Sequence, residues 1–435
     1  MPRALDVTQS IEELLVAGSD RRISLDPATG LNKYGCLPRP DPALLAFGSS
    51  TASVISTSSF DEVTQQYERL FKGAETMEEA WQRISEALLS DVSDMGASLA
   101  FASSGTDAHA LAVRSLLGFS KLFVLMVEES ETGSGVRAAM SVHHAEIKTV
   151  SIRKQDGMPR AVEDIDSEVV ASAESALARG YHVLLVMVDQ SKTGMISPSV
   201  SCAMALRKRY PEKISVLVDA CQFRIAPHTL RAYLGQGFMV AITGSKFLTG
   251  PAFSAALMLP QGFDLEIPER KDLGLLLRWE AALVEYRRFR ALSQIQIMNI
   301  MESFGETVRN RLAEDPRFES LTVPPLDRRP LLTGASWDQL QSIFPFLLYR
   351  RGQPLNHEET QRIYRLLQES DGNVIEGQRC QLGQPVFCGK GRSALRIALS
   401  ARLISDAADQ GMDGLLNDVL AVLGKTVYLV DKIRD

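Results

Sequence analysis

The chain has 435 residues, of which 45% are hydrophobic and 23% charged, and 47 Lys and Arg face 53 Asp and Glu for a formal net charge of −6. These values are typical of a globular chain of about two or three domains and exclude a fibrous or natively disordered class. The acidic balance lacks the basic excess that binding to a phosphate backbone needs, so we expect no nucleic-acid partner.

The cysteines and the N-terminus indicate a reducing compartment. The five cysteines are spread widely, without a Cys-x-x-Cys pair or a histidine at zinc-ligand spacing. This pattern predicts neither a disulfide framework nor a structural metal. Residues 1–20 contain acidic side chains and no sustained apolar run, so we expect neither a secretory signal nor a membrane helix, and a cytoplasmic location.

The first 70 residues are predicted to form an N-terminal segment that packs on the functional site. Residues 25–59 are rich in Pro, Gly, Asn and Ser, which predicts a long ordered loop. Helical spacing of apolar residues then predicts helices over about 60–72 and 76–92.

Residues 71–270 are predicted to form a large α/β domain, because short apolar runs alternate with helical stretches. Several runs are continuously apolar, as expected of strands buried on both faces of a parallel sheet. The predicted strands are 98–102, 122–127, 182–188, 214–218, 239–243 and 255–259. Ligands of such sheets bind beyond the carboxyl ends of the strands, so chemistry is expected there.

Residues 271–435 are predicted to form a long linking helix and a smaller α+β domain. The helical pattern runs from 273 to 312. The elements predicted after it are a strand over 342–350, a helix over 357–370, strand-like stretches near 374 and over 394–399, and a final helix over about 411–432.

Three predicted strands end in residues suited to chemistry. The first leads into the turn SSGT (103–106) and a helix, where small residues, free N–H groups and the helix dipole favour phosphate. The second is followed by Asp219 and, three residues on, Gln222. The third leads into TGSK (243–246), which places Lys246 in a tight turn between two buried strands.

Each motif alone has a simpler interpretation as a helix cap or as a lysine that extends to solvent. Together they match one chemistry. A lysine can form a Schiff base with an aldehyde, a carboxylate can pair with a protonated pyridine nitrogen, and a small-residue turn can hold a phosphate. These are the groups that pyridoxal 5′-phosphate needs.

The order SSGTDA, DACQ, TGSKFLTGP resembles fold-type I pyridoxal-phosphate enzymes, in particular the class V aminotransferase and cysteine desulfurase group. The resemblance covers about residues 75–435. It implies a mostly parallel, seven-stranded type of sheet flanked by helices, a smaller α+β C-terminal domain, and a homodimer.

The same resemblance implies roles for individual residues. Lys246 would carry the Schiff base, Asp219 would bind the pyridine nitrogen, and Gln222 would lie at the phenolic oxygen or the ring edge. Gln190 or Ser191, in VDQSKTGMISP, would lie near the phenolic oxygen, with a plain turn as the alternative. The phosphate would be held by Ser104, Gly105, Thr106, Thr243 and Ser245.

Substrate binding is predicted at two places. GRSALRIALS (391–400) resembles the strand whose arginine receives the substrate carboxylate, with Arg396 at the matching position and Arg392 and Arg402 as rivals. A guanidinium offers a bidentate fork for a carboxylate. In the N-terminal segment, the candidates to close over a larger substrate are Asn32, Lys33, Tyr34, Arg39 and the stretch SSTAS (49–53).

The chain also departs from the group's pattern. Ser245 replaces a histidine before the lysine, and the loop EESETGSGV (128–136), expected over the ring, has neither histidine nor aromatic residue. Glu129, Ser130, Glu131 or Thr132 would then cover the ring. Cys380 lies near the position of a desulfurase branch's sulfur acceptor, but that branch's paired histidines are missing around it.

These observations predict a pyridoxal-phosphate enzyme that acts on an amino acid through a Cα carbanion. Elimination or replacement at the side chain, by a lyase or transferase of a specialised biosynthetic pathway, is the preferred reaction. The alternatives are an aminotransferase, a cysteine desulfurase, or a catalytically silent member of the fold that acts as a binding partner.

Overall fold

The structure is a computed structural model that describes residues 9–18, 21–141, 145–263, 265, 272–370, 378–389 and 391–433. The helices are α1 (Ile11–Leu15), α2 (Thr57–Phe71), α3 (Met77–Leu89), α4 (Gly105–Arg114), α5 (Val136–Met140), α6 (Val162–Ala178), α7 (Val200–Arg209), α8 (Pro227–Gly235), α9 (Leu273–Arg290), α10 (Gln294–Glu314), α11 (His357–Leu367), α12 (Ala401–Gln410) and α13 (Met412–Lys432). The strands are β1 (Leu45–Ala46), β2 (Ser98–Ala102), β3 (Leu122–Val127), β4 (Glu146–Val150), β5 (His182–Asp189), β6 (Ile196–Ser197), β7 (Ile214–Ala220), β8 (Met239–Thr243), β9 (Ala255–Leu259), β10 (Phe318–Ser320), β11 (Ile343–Arg350), β12 (Gln353–Pro354), β13 (Cys380–Gln381), β14 (Gly383–Phe387) and β15 (Ser393–Ala398).

The large sheet has the strand order β2-β9-β8-β7-β5-β3-β4, with β6 paired to β5. Strands β8, β7, β5, β3 and β4 are parallel, whereas β9 is antiparallel to both of its neighbours. All six predicted strands are present, so the prediction of a mostly parallel sheet in an α/β fold is confirmed. The sequence does not predict β4, because this strand lies at the edge of the sheet and alternates exposed and partly buried residues.

Every residue of the central strands is buried, because helices cover both faces of this sheet. Successive residues of a strand point to opposite faces. Leu184 packs in a cluster with Ala112 of α4, whereas the next residue, Leu185, packs in a second cluster with Ala173 of α6. The continuously apolar runs follow from this double burial.

The helical pattern over 273–312 forms two helices, so the prediction of one long helix is wrong. The break lies between Arg290 and Gln294. Ser293 caps α10, because its side chain accepts a hydrogen bond from the Gln296 N–H while the Gln296 side chain accepts one from the Ser293 N–H. This capping box starts a new helix, although apolar residues continue at helical spacing across the break.

The smaller sheet has the order β10-β11-β15-β14, with β12 paired to β11, and all of its pairs are antiparallel. The predicted strands over 342–350 and 394–399 and the two predicted helices are present within three residues of their expected bounds. The stretch near 374 lies outside the described residues. The short parallel pair of β1 with β13 joins the N-terminal segment to this region.

Within the described part of the chain, no helix combines the length and the apolar character that crossing a membrane requires.

Candidate active site

A cavity of about 230 Å³ opens where β5, β7 and β8 end and α4 begins. Because these strands are parallel, their carboxyl ends meet at one edge of the sheet. Side chains from the N-terminal segment and from β15 complete the wall. The predicted site residues that line this cavity are Ser104, Gly105, Thr106, Gln190, Ser191, Asp219, Gln222, Thr243, Ser245, Lys246 and Arg396.

Asp219 lies near the end of β7, against His109 of α4. The His109 Nε2 atom is 3.2 Å from Asp219 Oδ2, and the Cys221 N–H donates to Asp219 Oδ1 at 3.1 Å. The His109 Nδ1 atom is 2.6 Å from the Gly105 carbonyl oxygen. Because both ring nitrogens face acceptors, the arrangement favours the doubly protonated imidazolium.

The pKa values of this pair follow from their contact. Burial alone would lower the pKa of His109, but the charge and hydrogen bonding of Asp219 outweigh burial and raise it. Burial would raise the pKa of Asp219, but His109 and the charge of Lys246 hold it well below its ordinary range. Asp219 is therefore an ionised carboxylate in a nearly closed site.

The sequence interpretation missed His109. It looked for histidines beside the lysine and in the loop 128–136, where none lies. The available signal was spacing, because His109 follows Gly105 by four residues in a helix that begins at a strand end. One helical turn brings residues i and i+4 to the same face, which here is the face towards β7.

Lys246 lies in the turn between β8 and β9, close enough to Asp219 to influence its pKa. Two glycines let this turn pack against α9. A Cβ atom at Gly244 would lie 2.7 Å from the Ala282 Cβ, and one at Gly250 would lie 2.8 Å from it. The Gly250 N–H donates to the Gly244 carbonyl at 2.9 Å, so the turn that carries Lys246 is held by its own main chain.

The start of α4 forms the predicted phosphate turn. The Ser104 side chain caps this helix, because its Oγ accepts from the Asp107 N–H at 3.2 Å. A Cβ atom at Gly105 would lie 2.9 Å from Cys221 Sγ, so only glycine fits there without movement. The Thr243 hydroxyl donates to the Cys221 carbonyl at 2.6 Å, which leaves its oxygen as an acceptor only.

The loop after β5 approaches the cavity through Gln190, whose φ of 62° is unusual for a residue other than glycine. Its Nε2 donates to the Arg224 carbonyl at 3.0 Å, and its Oε1 is buried without a hydrogen-bond partner. The Ser191 hydroxyl donates to Glu131 Oε2 at 2.7 Å. Ser191 therefore uses its only donor within the protein. The amide oxygen of Gln190, by contrast, remains available to a ligand.

The loop over residues 128–136 lines the cavity through Glu131, Thr132, Gly133, Ser134 and Val136, and not through Glu129 or Ser130. The Glu131 carboxylate accepts from Arg153 Nε at 2.8 Å and also from Ser191 and Thr193. Its charge is therefore neutralised by Arg153 before any ligand binds.

Arg396 lines the cavity, whereas its rivals Arg392 and Arg402 are not among the lining residues. Its Nη2 donates to Thr51 Oγ1 and to the Gln384 carbonyl, both at 2.8 Å. Its Nη1 donates to the Lys192 carbonyl at 3.1 Å and to that of Ser50 at 3.4 Å. These acceptors are neutral, so the guanidinium keeps an uncompensated charge, and burial lowers its pKa to about 10.

The N-terminal segment lines the same cavity through Arg22, Lys33, Tyr34, Ser50 and Thr51, and not through Asn32. The Asn32 Oδ1 accepts from the Tyr34 N–H at 2.9 Å and from the Cys36 N–H at 3.1 Å, so its side chain holds a turn. The Tyr34 ring packs on Phe253, which has a φ of 71° and also lines the cavity.

Cys380 does not lie at the cavity wall. It is buried in β13, where its thiol donates to the Gln378 carbonyl at 3.4 Å. Burial raises the pKa of this thiol to about 11, so little thiolate forms near neutral pH. These features disfavour a sulfur-accepting role.

No protein-family model matches the chain, and no curated protein matches it in sequence. Solved structures match it in fold. A NifS-like protein from Rickettsia africae is 12% identical with a TM-score of 0.60, over 89% of this chain and 99% of that one. Serine palmitoyltransferase from S. paucimobilis, with bound pyridoxal phosphate and myriocin, is 14% identical with a TM-score of 0.57, over 90% and 89%. A cystine C-S lyase in complex with cysteine persulfide is 15% identical with a TM-score of 0.57, over 89% and 97%. The chain therefore has the fold of the fold-type I pyridoxal-phosphate enzymes, as the sequence resemblance implied.

Proposed function

We propose that this chain is a pyridoxal-phosphate enzyme that acts on an amino acid and eliminates or replaces a group on its side chain. One observation carries the proposal. A single cavity brings together the amine-bearing turn of Lys246, the ionised Asp219 with its His109 partner, and the start of α4.

The residues present fit the cofactor. Two buried polar atoms at the cavity lack a hydrogen-bond partner within the protein, namely Ser50 Oγ and Gln190 Oε1, whereas His109 Nε2 faces Asp219 Oδ2 at 3.2 Å. Buried polar atoms are normally paired, so these are suited to a polar ligand. Asp219 would hold the pyridine nitrogen, and Gln190 or Gln222 would face the phenolic oxygen.

The phosphate would bind at the start of α4. There the N–H groups of the first turn lack partners within the helix, and the helix dipole favours a negative charge. Ser245 is buried and lines the same cavity, so its hydroxyl is a further candidate to bind the phosphate.

When bound, the cofactor supplies an electron sink for the charge that develops at Cα. Lys246 would hold the cofactor through its amine, and its free amine would be the general base that moves the Cα proton. Asp219, as an ionised carboxylate, would keep the pyridine nitrogen protonated. Arg396 supplies positive charge for the substrate carboxylate.

Loss of a side-chain group is preferred over a desulfurase reaction. The thiol of Cys380 is buried away from the cavity, and the wall residue Ser245 takes the place of a histidine. Structures that share the fold include a cystine C-S lyase as well as cysteine desulfurases, so the preference for elimination or replacement rests on Cys380 and Ser245.

The test is reconstitution with pyridoxal phosphate, reduction with borohydride and peptide mapping. We expect a visible absorbance band that is lost in Lys246→Ala and retained in the control Lys154→Ala, whose side chain is exposed outside the cavity. The reduced cofactor should label Lys246. Lys192 lies in the same cavity, so labelling of Lys192, or a protein that stays colourless, would contradict the proposal.

A screen of amino acids with the reconstituted protein separates the reaction classes. Release of a β or γ leaving group without formation of pyridoxamine phosphate supports elimination or replacement. Formation of pyridoxamine phosphate from an amino acid alone would instead identify an aminotransferase.

A further inference from the structure

We infer that the substrate is an amino acid whose side chain carries a second anionic group, and that Lys192 binds this group. The inference rests on the proposed function and specifies its substrate class. The second group is a carboxylate or another oxyanion of similar size, because an ammonium binds such groups as a point charge without demanding one geometry.

The first argument is the charge of the cavity wall. The acidic groups among its described lining residues, Glu131 and Asp219, are already paired with Arg153 at 2.8 Å and His109 at 3.2 Å. Basic side chains that line it include Lys33, Lys192, Lys246 and Arg396. The wall is therefore strongly positive, and its ligands must supply negative charge.

The second argument is how the ligands use this charge. Lys246 would hold the cofactor through its amine, and the start of α4 would hold the phosphate. The charge of Arg396 would attract the α-carboxylate. The carboxylates of Glu131 and Glu129 act on Lys192 only from a distance, and its ammonium contacts the Glu129 carbonyl. A simple amino acid would then leave this partly buried ammonium without a carboxylate in contact, which costs free energy that a second acidic group removes.

The third argument is the geometry of Lys192. Its main chain is fixed, because its N–H donates to the Glu131 carbonyl at 2.8 Å and its carbonyl accepts from Arg396 at 3.1 Å. Its Nζ donates to the Glu129 carbonyl at 2.9 Å. An ammonium has three donors, so two N–H groups remain for a ligand.

The pKa of Lys192 agrees with this arrangement. Burial, and then the charges of Arg396 and Lys246, lower it to about 8. An anion bound beside Nζ would oppose this crowding of positive charge and favour the protonated amine.

The test uses inert ligands of one skeleton, so that turnover is not needed. Succinate, 3-phosphonopropionate and butyrate are titrated by calorimetry into protein saturated with pyridoxal phosphate. We expect succinate or the phosphonate to bind at least about 10-fold more tightly than butyrate. A roughly 10-fold difference in affinity corresponds to one charge-assisted hydrogen bond. The tighter of these two identifies the oxyanion.

The variant Lys192→Met should abolish this preference and leave butyrate binding unchanged, whereas Lys192→Arg should keep most of it. Lys154→Met is the matched control, and circular dichroism checks the fold of each variant. Equal binding of the three ligands, or loss of cofactor affinity in Lys192→Met, would overturn the inference. The failure of the proposed function is seen separately, as absence of cofactor on Lys246.

Discussion

Asp189 and Asp219 lie at the carboxyl ends of neighbouring parallel strands, yet their surroundings differ. Asp189 accepts from Arg328 through both oxygens, at 2.7 and 2.8 Å, and from the Tyr233 hydroxyl at 2.7 Å. Its side chain and that of Arg328 are fully buried. Asp219 accepts from the Cys221 N–H, touches His109, and lines the cavity.

The difference shows what separates a structural carboxylate from a functional one. Both oxygens of Asp189 accept hydrogen bonds within the protein, so it fixes the end of β5, next to Gln190. Asp219 is charged and only partly satisfied, and it faces the amine-bearing turn. Position at a strand end identifies both residues as candidates, and only their partners distinguish them.

The largest expected effect is on catalysis at Asp219. The variant Asp219→Asn keeps the shape and the acceptor for the Cys221 N–H but loses the charge. We expect kcat/KM for the substrate found in the amino-acid screen to fall on the order of 10³-fold, as for removal of one preorganised electrostatic group.

Denaturation with urea should show that Asp219→Asn remains folded. If the variant kept activity within tenfold of the wild type, Asp219 would not be the partner of the cofactor ring, and the contrast between the two aspartates would vanish.

The next effect is on stability at the other aspartate. Arg328→Met leaves the buried Asp189 carboxylate without its cation, which we expect to reduce the free energy of unfolding by about 3–5 kcal/mol. Urea denaturation of the cofactor-free protein measures this change. A loss below about 1 kcal/mol would show that the pair does not hold the end of β5.

The sequence predicts the parts of the fold that burial imposes uniformly. Strands covered on both faces must be apolar throughout, and the six central runs satisfy this condition. The strand β4 carries Glu146 and Lys148 at an edge, so the same rule does not detect it. The break before α10 depends on the Ser293 capping box, which hydrophobic periodicity does not register.

The same contrast holds for the site. Lys246, Asp219 and the turn at Ser104 are predictable, because each lies within three residues of a strand end and parallel strands end together. The contact of His109 with Asp219 and the neutralisation of Glu131 by Arg153 are not predictable, because they depend on the direction of side chains in the folded chain. The acceptors that occupy the Arg396 guanidinium come from three separate segments, whose meeting only the folded chain reveals.

A smaller effect is expected from the partner of Asp219. His109→Gln removes a charge-assisted contact, and we expect a loss of about 1.5–3 kcal/mol of unfolding free energy near pH 6 in the cofactor-free protein. Because the folded-state pKa of His109 is raised, its contribution is complete below its ordinary pKa of about 6.5 and is lost as the pH rises through the folded value.

The lowered pKa of Asp219 limits the stability that this contact provides at acidic pH, whereas His109 limits it at alkaline pH. Its contribution is present above its ordinary pKa of about 3.9 and is lost as the pH falls through the folded value. Stability curves of wild type and His109→Gln should therefore differ most between about pH 4 and 6.5 and converge in alkali. Curves that stay parallel to pH 10 would show that His109 is not charged in the folded protein.

The smallest effect distinguishes a helix cap at the cavity from one far from it. Ser104 caps α4 and Ser199 caps α7, each through a hydroxyl that accepts a main-chain N–H at 3.2 and 3.0 Å. Alanine at either position should cost about 1 kcal/mol of stability, measured by urea denaturation.

Only Ser104→Ala should also weaken the affinity for pyridoxal phosphate, by about fivefold in a fluorescence titration, because loosening the first turn of α4 disorders the N–H groups that face the phosphate. Ser199→Ala serves as the matched control, because its helix starts outside the cavity wall. Equal cofactor affinity in the two variants would show that the phosphate does not bind at the start of α4 and that Ser104 has a structural role only.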